Sequence, residues 1–318
     1  MKIIIFADGD NKIGWGHVVR MTNLAESLRL KHKVYFLSEK HESQKKFKEK
    51  FQTFDAKNDL HKIEKIKPNL IIIDKLKICK KKLFQLNKIC NNILTIDLIG
   101  KDFGLIKYGI AILYPKSAFQ HSSEKFDFKY TTIRRDFLKY KRRNIHRKVE
   151  NVLVVQGGAD TYCFIPKIIK ILKTNKHEYN YHVILGPSFK CWNKLETVCK
   201  NNNNFKILKD VKNMGKIMNK MDIAISAAGM TGLELAYIGI PTIFITAEKF
   251  ELETAKLLEK HGFGKNMGFG RDFKQDKLNI VLNRLDMDFN KRQIMNKIGK
   301  KIITGNGIHN LAKFVDSL

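Results

Sequence analysis

Along the first half of the chain, short apolar runs alternate with polar segments in which apolar residues recur at helical spacing. The runs occupy residues 3–7, 33–37, 70–74, 93–97 and, more briefly, 109–113. They are continuous and rich in isoleucine, with no in-out alternation. That pattern suits strands buried on both faces of a parallel sheet. The third and fourth runs end in Asp74 and Asp97, at the strand end where a ligand crevice opens. Intervening stretches such as 79–89 read as helices. Strand and helix in alternation predict a doubly wound α/β domain.

The pattern breaks over residues 140–151, a charged stretch with little to bury, which reads as an interdomain linker. It then starts again. Strands are expected at 151–155, 181–186, 205–208, 222–226 and 242–246. Helices are expected at 165–172, 210–218 and 251–260, and over 290–318 with a break at Gly305-Asn306-Gly307. Gly239 suits a helix C-cap and Pro241 a strand start. The expected architecture is α/β, with two Rossmann-like domains, 1–145 and 146–318, facing each other across a cleft. The last helix is expected to return to the first domain.

Three glycine turns follow strands in this reading. Gly14-Trp15-Gly16-His17 comes after the first strand and the polar turn 8–12, and opens a helix with Met21, Leu24, Ala25 and Leu28 on one face. Gly157-Gly158 follows the first strand of the second half. Gly229 to Gly232 opens another helix. Such glycines often serve only the turn. At a helix start, however, free N–H groups and the helix dipole favour an anion. None of the three turns carries the lysine of a Walker A loop, and Val19 interrupts a full G-x-G-x-x-G, so an NTPase is not indicated. Backbone N–H groups, with a hydroxyl from Ser226 or Thr231, can hold a diphosphate without a metal. Glu234 can accept from the two hydroxyls of a ribose, or simply complement its helix dipole. His17 is the natural acid-base residue of the first turn.

Composition narrows this further. At 318 residues and 43% hydrophobic, the chain can build two ordinary cores. It has no apolar run near the ~20 residues that span a membrane, and its first run is too short for a signal peptide, so a soluble cytoplasmic protein is expected. The five cysteines, Cys79, Cys90, Cys163, Cys191 and Cys199, form no C-x-x-C pair. A disulfide framework or a zinc site is therefore not expected, and each cysteine reads as a buried free thiol. The net charge of +29 raises nucleic acid or an anionic membrane as partners. Its lysines are scattered without aromatic interleaving, which favours compositional drift. Nucleic acid is not expected, and peripheral membrane attraction is left as the minor reading.

Several blocks together resemble a known family. They are Gly14-Trp15-Gly16-His17-Val18-Val19-Arg20-Met21, Gln156-Gly157-Gly158-Ala159-Asp160, Ser226-Ala227-Ala228-Gly229 with Glu234, and Gly239-Ile240-Pro241. Ile71-Ile72-Ile73-Asp74 and Ile133-Arg134-Arg135-Asp136-Phe137 add to them. The family is the UDP-sugar hydrolases of the pseudaminic-acid pathway (the PseG type), related to the GT-B glycosyltransferases. The resemblance implies hydrolysis of a UDP-linked diacetamido-trideoxyhexose, inverting and metal-independent, with no cofactor. A GT-B glycosyltransferase using an alcohol acceptor is the alternative. It further implies His17 as catalytic base. Gly229, Met230 and Thr231 would hold the diphosphate, and Glu234 the ribose. Asp8 would orient His17 or bind sugar hydroxyls. Gly14, Gly16, Arg20, Gly157, Gly158 and Ser226 would complete the substrate site. Lys249-Phe250 stands where the family usually carries Asn-Gln, which bears on the sugar and on hydrolysis itself. A monomer is the expected state.

Overall fold

A computed structural model describes residues 1–10, 14–98, 103–113, 124–140, 144–158, 160–200, 203–272 and 276–318. Of the residues discussed above, Asn11, Lys12, Ala159 and 141–143 lie outside these, as do the side chains of Lys249 and Phe250. The chain divides into two compact units. Unit 1 is Met1–Thr132 with Gly305–Leu318, and unit 2 is Ile133–Thr304. The division falls between Thr132 and Ile133, ahead of the charged stretch rather than at residue 145.

In chain order, unit 1 contains β1 (Lys2–Ala7), α1 (Gly16–Leu28), β2 (Lys33–Ser38), α2 (His41–Lys48), β3 (Thr53–Asp55), α3 (Leu60–Ile66), β4 (Leu70–Asp74), α4 (Lys80–Ile89), β5 (Ile93–Ile96), β6 (Tyr108–Ala111) and β7 (Glu124–Phe126). All its strand pairs are parallel, in the order β3-β2-β1-β4-β5-β6-β7. Two apolar clusters cover the sheet. Ile3, Ile5 and Ile72 pack with α1, while Ile4, Phe6, Ile71 and Ile73 pack with Leu83 and Leu86 of α4. Burial on both faces is why these strands are unbroken apolar runs.

Unit 2 contains β8 (Asn151–Val155), α5 (Phe164–Leu172), β9 (Asn180–Ile184), α6 (Trp192–Cys199), β10 (Phe205–Leu208), α7 (Met214–Met218), β11 (Ile223–Ser226), α8 (Met230–Ile238), β12 (Thr242–Thr246), α9 (Lys249–Lys260), β13 (Lys265–Phe269), α10 (Asp276–Met287) and α11 (Phe289–Ile302). Its sheet is also parallel, in the order β10-β9-β8-β11-β12-β13. The final helix, α12 (Gly307–Asp316), belongs to unit 1, where it packs on α1 and Asp316 pairs with Lys31 at 2.8 Å.

Three expectations need correction. The 210–218 segment is helical only from Met214, because Asp210 sits at φ 50°, outside the helical region. The stretch 140–151, expected as an interdomain linker, falls within unit 2, and its residues 146–151 are anchored there. Asp222 accepts from the Glu150 and Asn151 backbone N–H groups, and the buried Arg292 guanidinium donates to the carbonyls of His146 and Arg147. Finally, Cys163 and Cys191 form a disulfide with Cα atoms 5.8 Å apart, while Cys79 is exposed and only Cys90 is a buried free thiol. The two bonded cysteines precede α5 and α6, which pack together; their 28-residue separation hides that proximity from any local pattern.

Candidate functional site

In each sheet the strand order reverses once, and a doubly wound sheet binds its ligand beyond the carboxyl ends of the strands at that point. In unit 1 the reversal lies between β1 and β4, where Ala7 is in register with Asp74. The turn after β1 closes through a hydrogen bond from the Gly14 N–H to the Asp10 carbonyl, at 2.9 Å. Gly14 has φ +83°, a conformation that favours glycine. The chain then enters α1 at Gly16, which puts His17 in the first turn, above the end of β4.

His17 Nδ1 lies 2.8 Å from Asp74 Oδ1. Asp74 is fully buried. Burial pushes its carboxyl up, but the charges of Arg20 and His17 outweigh this and hold it at about 2. An ionised carboxylate only accepts, so in the contact with Asp74 the proton sits on Nδ1, and in the neutral form of the ring the lone pair is then on Nε2. Arg20, one turn further along α1, binds Asp74 through Nε at 2.6 Å and through Nη2, and binds Asp97 through Nη1 at 2.7 Å. Burial works against the Arg20 charge; Asp74 and Asp97 overcome it and hold its pKa above the ordinary value. Asp97 in turn accepts from the Ile112 and Leu113 backbone N–H groups. The result is a fixed chain of charge running from the end of β5 to the histidine.

Two expectations change here. Asp8 does not orient His17. It accepts from Ser38 Oγ and the Glu39 N–H, and pairs with Lys75 at 2.7 Å. Arg20 is buried against two aspartates, a part of the framework beneath the histidine. The orienting residue is Asp74, which the sequence marks as a strand-end carboxylate in the Ile71–Asp74 block but gives no role.

In unit 2 the reversal lies between β8 and β11. Gly157, at φ +65°, and Gly158 follow β8, and a Cβ at either would meet no atom within 4 Å. Asp160 is engaged at the start of α5, accepting from the Phe164 and Ile165 N–H groups at 2.7 and 2.9 Å. Beyond β11, Ser226 is fully buried and donates to the Ala227 carbonyl at 2.9 Å. Gly229 then caps α8 with no side-chain bond, so the first N–H groups of that helix, from Met230 onward, have no intrahelical partner. Gly229, Met230 and Thr231 are all partly exposed.

Glu234 lies one turn into α8 and is almost fully buried. Both its oxygens are engaged by Arg134, Nε to Oε1 at 2.6 Å and Nη2 to Oε2 at 3.0 Å. Glu251, in the first turn of α9, forms a capping box with Glu248. Burial, with the Glu248 charge added, pushes its carboxyl up to about 7, against two backbone N–H bonds that stabilise the anion. Its Oε1 lies within 2.6 Å of where a Cβ on Gly229 would stand, so it borders the start of α8. Arg134 and Glu251 are the site residues that sequence reasoning leaves without a role. Among the described residues, no group of three or more His, Cys, Asp or Glu side chains is arranged to hold a metal ion. Among them too, no helix is long and apolar enough to cross a membrane.

Comparison with known proteins fits this geometry. Residues 151–306 match the glycosyltransferase family 28 C-terminal domain. The uncharacterized protein MJ1062 of Methanocaldococcus jannaschii is 27% identical over 80% of this chain, and the chain spans 57% of that relative's length. The spore coat polysaccharide biosynthesis protein SpsG of Bacillus subtilis is 22% identical over 100% of this chain and 98% of its own. Among solved structures, MurG of Acinetobacter baumannii matches with a TM-score of 0.75 at 15% identity, over 100% of this chain and 99% of its own. Anabaena Alr3699/HepE, solved in complex with UDP and glucose, matches with a TM-score of 0.67 at 14% identity over 100% of both chains. In fold the chain is similar to the GT-B glycosyltransferases, with two parallel-sheet Rossmann-like units, and its second half matches the family 28 C-terminal domain.

Proposed function

We propose that the chain transfers a sugar from a UDP-sugar donor to an alcohol acceptor, with inversion at the anomeric carbon. The observation that carries this reading is the His17–Asp74 contact at 2.8 Å. It leaves the Nε2 lone pair as a proton acceptor at the reversal point of a ligand-binding sheet. The acceptor hydroxyl gives its proton to Nε2 as its oxygen bonds to C1. The bond from C1 to the phosphate oxygen breaks, and UDP leaves with the electron pair. Unit 2 supplies the nucleotide groups. The free N–H groups of α8 at Met230 and Thr231, with Gly229, receive the diphosphate and stabilise its growing charge. Glu234 receives the ribose hydroxyls, and the open turn Gly157-Gly158 admits the donor close to the backbone. The polysaccharide role in the name of SpsG and the UDP bound by HepE support a UDP-sugar donor here.

A second reading has its own support. The Gly14 to Arg20 block resembles the pseudaminic-acid hydrolases, in which water takes the acceptor's place and a UDP-linked diacetamido-trideoxyhexose is the donor. UDP release from a panel of UDP-sugars, with and without alcohol acceptors, separates the two. Transfer predicts release that depends on acceptor and persists in EDTA. Equal release without acceptor would establish hydrolysis instead. No release from any donor under either condition would remove both.

A further inference from the structure

Glu234 is a carboxylate with 4% of its side chain exposed, set inside a helix, and a lone anion at that depth is costly. Its counter-ion, Arg134, meets it as a fork, with one N–H on each oxygen. That geometry fixes the plane of the carboxylate as well as its charge. Each carboxylate oxygen has two lone pairs, and Arg134 takes one on each. Burial holds Glu234 above the ordinary carboxylate range, with Asp136 adding to the rise and Arg134 pulling against it.

Arg134 is itself held. Although 39% of its side chain is exposed, its guanidinium stacks on the ring of the fully buried Phe137, 4.6 Å from the centroid. The 3-10 turn that follows, Arg135–Tyr140, is tied to helices of its own unit twice. Tyr237 of α8 donates to the Leu138 carbonyl at 2.8 Å, and Gly215 of α7 lies so close to the Tyr140 ring that a Cβ there would come within 2.6 Å of it. An arginine on such a platform is preorganised.

We infer that Arg134 is the positioning residue for the nucleotide's ribose: it fixes Glu234 so that the lone pairs it leaves free accept the 2′- and 3′-hydroxyls, and thereby selects ribonucleotides over deoxyribonucleotides. This rests on the reading of Glu234 as the ribose acceptor, and the test keeps the two apart.

Titration calorimetry with UDP and 2′-deoxy-UDP measures the selection directly. Wild type is expected to bind UDP about tenfold or more tightly, as a hydrogen bond to a charged group implies. In Arg134→Ala the ratio falls to within about threefold of unity, and in Arg134→Lys, which restores charge without the fork, it is intermediate. In a Glu234→Ala background, adding Arg134→Ala changes the ratio no further. A wild type that binds both nucleotides equally would fail the ribose reading itself. A wild type that discriminates, with Arg134→Ala weakening both nucleotides equally, would overturn the role given to Arg134 and place it on the phosphates. If Arg134→Ala does not fold, the lysine variant decides: an unchanged ratio there also overturns it.

Discussion

The two units share one plan, a parallel sheet with a single reversal of strand order, yet they fill the reversal point in opposite ways. Unit 1 fills it with ionised side chains: Asp74, Asp97 and Arg20, stacked beneath His17. Unit 2 fills it with backbone, in two glycine turns and an uncapped helix start, and pairs the deeply buried Glu234 with Arg134. A rigid side-chain network suits proton transfer, where tautomer and orientation must be fixed. Exposed N–H groups suit an anionic ligand approached closely. Under the proposed function the difference separates chemistry from binding, and mutation can test it. His17→Ala is expected to lower UDP release about 10²- to 10⁴-fold while UDP affinity, measured by calorimetry, stays within about twofold. Equal losses in both would break the division between the units.

The buried carboxylates also give the units opposite pH responses. In unit 2, Glu251 is raised from 4.5 to about 7. Its folded form holds a proton that the unfolded chain releases. Its contribution is therefore fully present below pH 4.5 and is lost as the pH rises toward 7, by up to about 3 kcal/mol. Glu251→Gln keeps the capping geometry and removes the ionisation, so amide exchange in β11 and β12 should lose this alkaline weakening. In unit 1, Asp74 is lowered from 3.8 to about 2, so its contribution is present above pH 3.8 and lost as the pH falls through 2. The swing is about 2 kcal/mol. Exchange in β4 and β5 should speed up as the pH drops through that window in wild type. In Asp74→Asn it should be faster throughout and flat, because Arg20 has lost its main partner. A common pH response in both sheets would contradict the assignment of separate buried groups.

How much of this was legible in the chain follows from distance along it. The long core strands were readable because burial on both faces leaves unbroken runs such as Ile71 to Ile73. The α8 start and its Gly239 cap, at φ +87°, were readable because glycine marks backbone that other residues resist. Short strands were not. β3 and β7 have three residues each, and β13 carries an internal glycine. The partner of His17 was illegible for a different reason. Asp74 lies 57 positions away and reaches it only because β4 inserts beside β1, a consequence of strand order that no local pattern encodes. The same holds for Arg134 and Glu234, 100 positions apart. Local sequence therefore marked the glycine turns and the carboxylates at the strand ends, while the pairings that set their charge came from topology.

The smallest expected effect tests the link between α8 and the Arg134 platform. Tyr237 Oη donates to the Leu138 carbonyl, and Leu138 is exposed, so water can replace the lost donor in Tyr237→Phe. The change then costs about 1 kcal/mol of stability, an ordinary intramolecular hydrogen bond, rather than the larger penalty of a buried orphan. The ring stays in place, because the buried body of Tyr237 packs as phenylalanine does. What should change is the hold on the turn that carries Arg134. UDP affinity is expected to fall about two- to threefold, with UDP losing more than 2′-deoxy-UDP. An equal, small loss for both nucleotides would make the bond a general support of unit 2. A selective loss would show that the orientation of Glu234 depends on how firmly the Arg135–Tyr140 turn is held against α8.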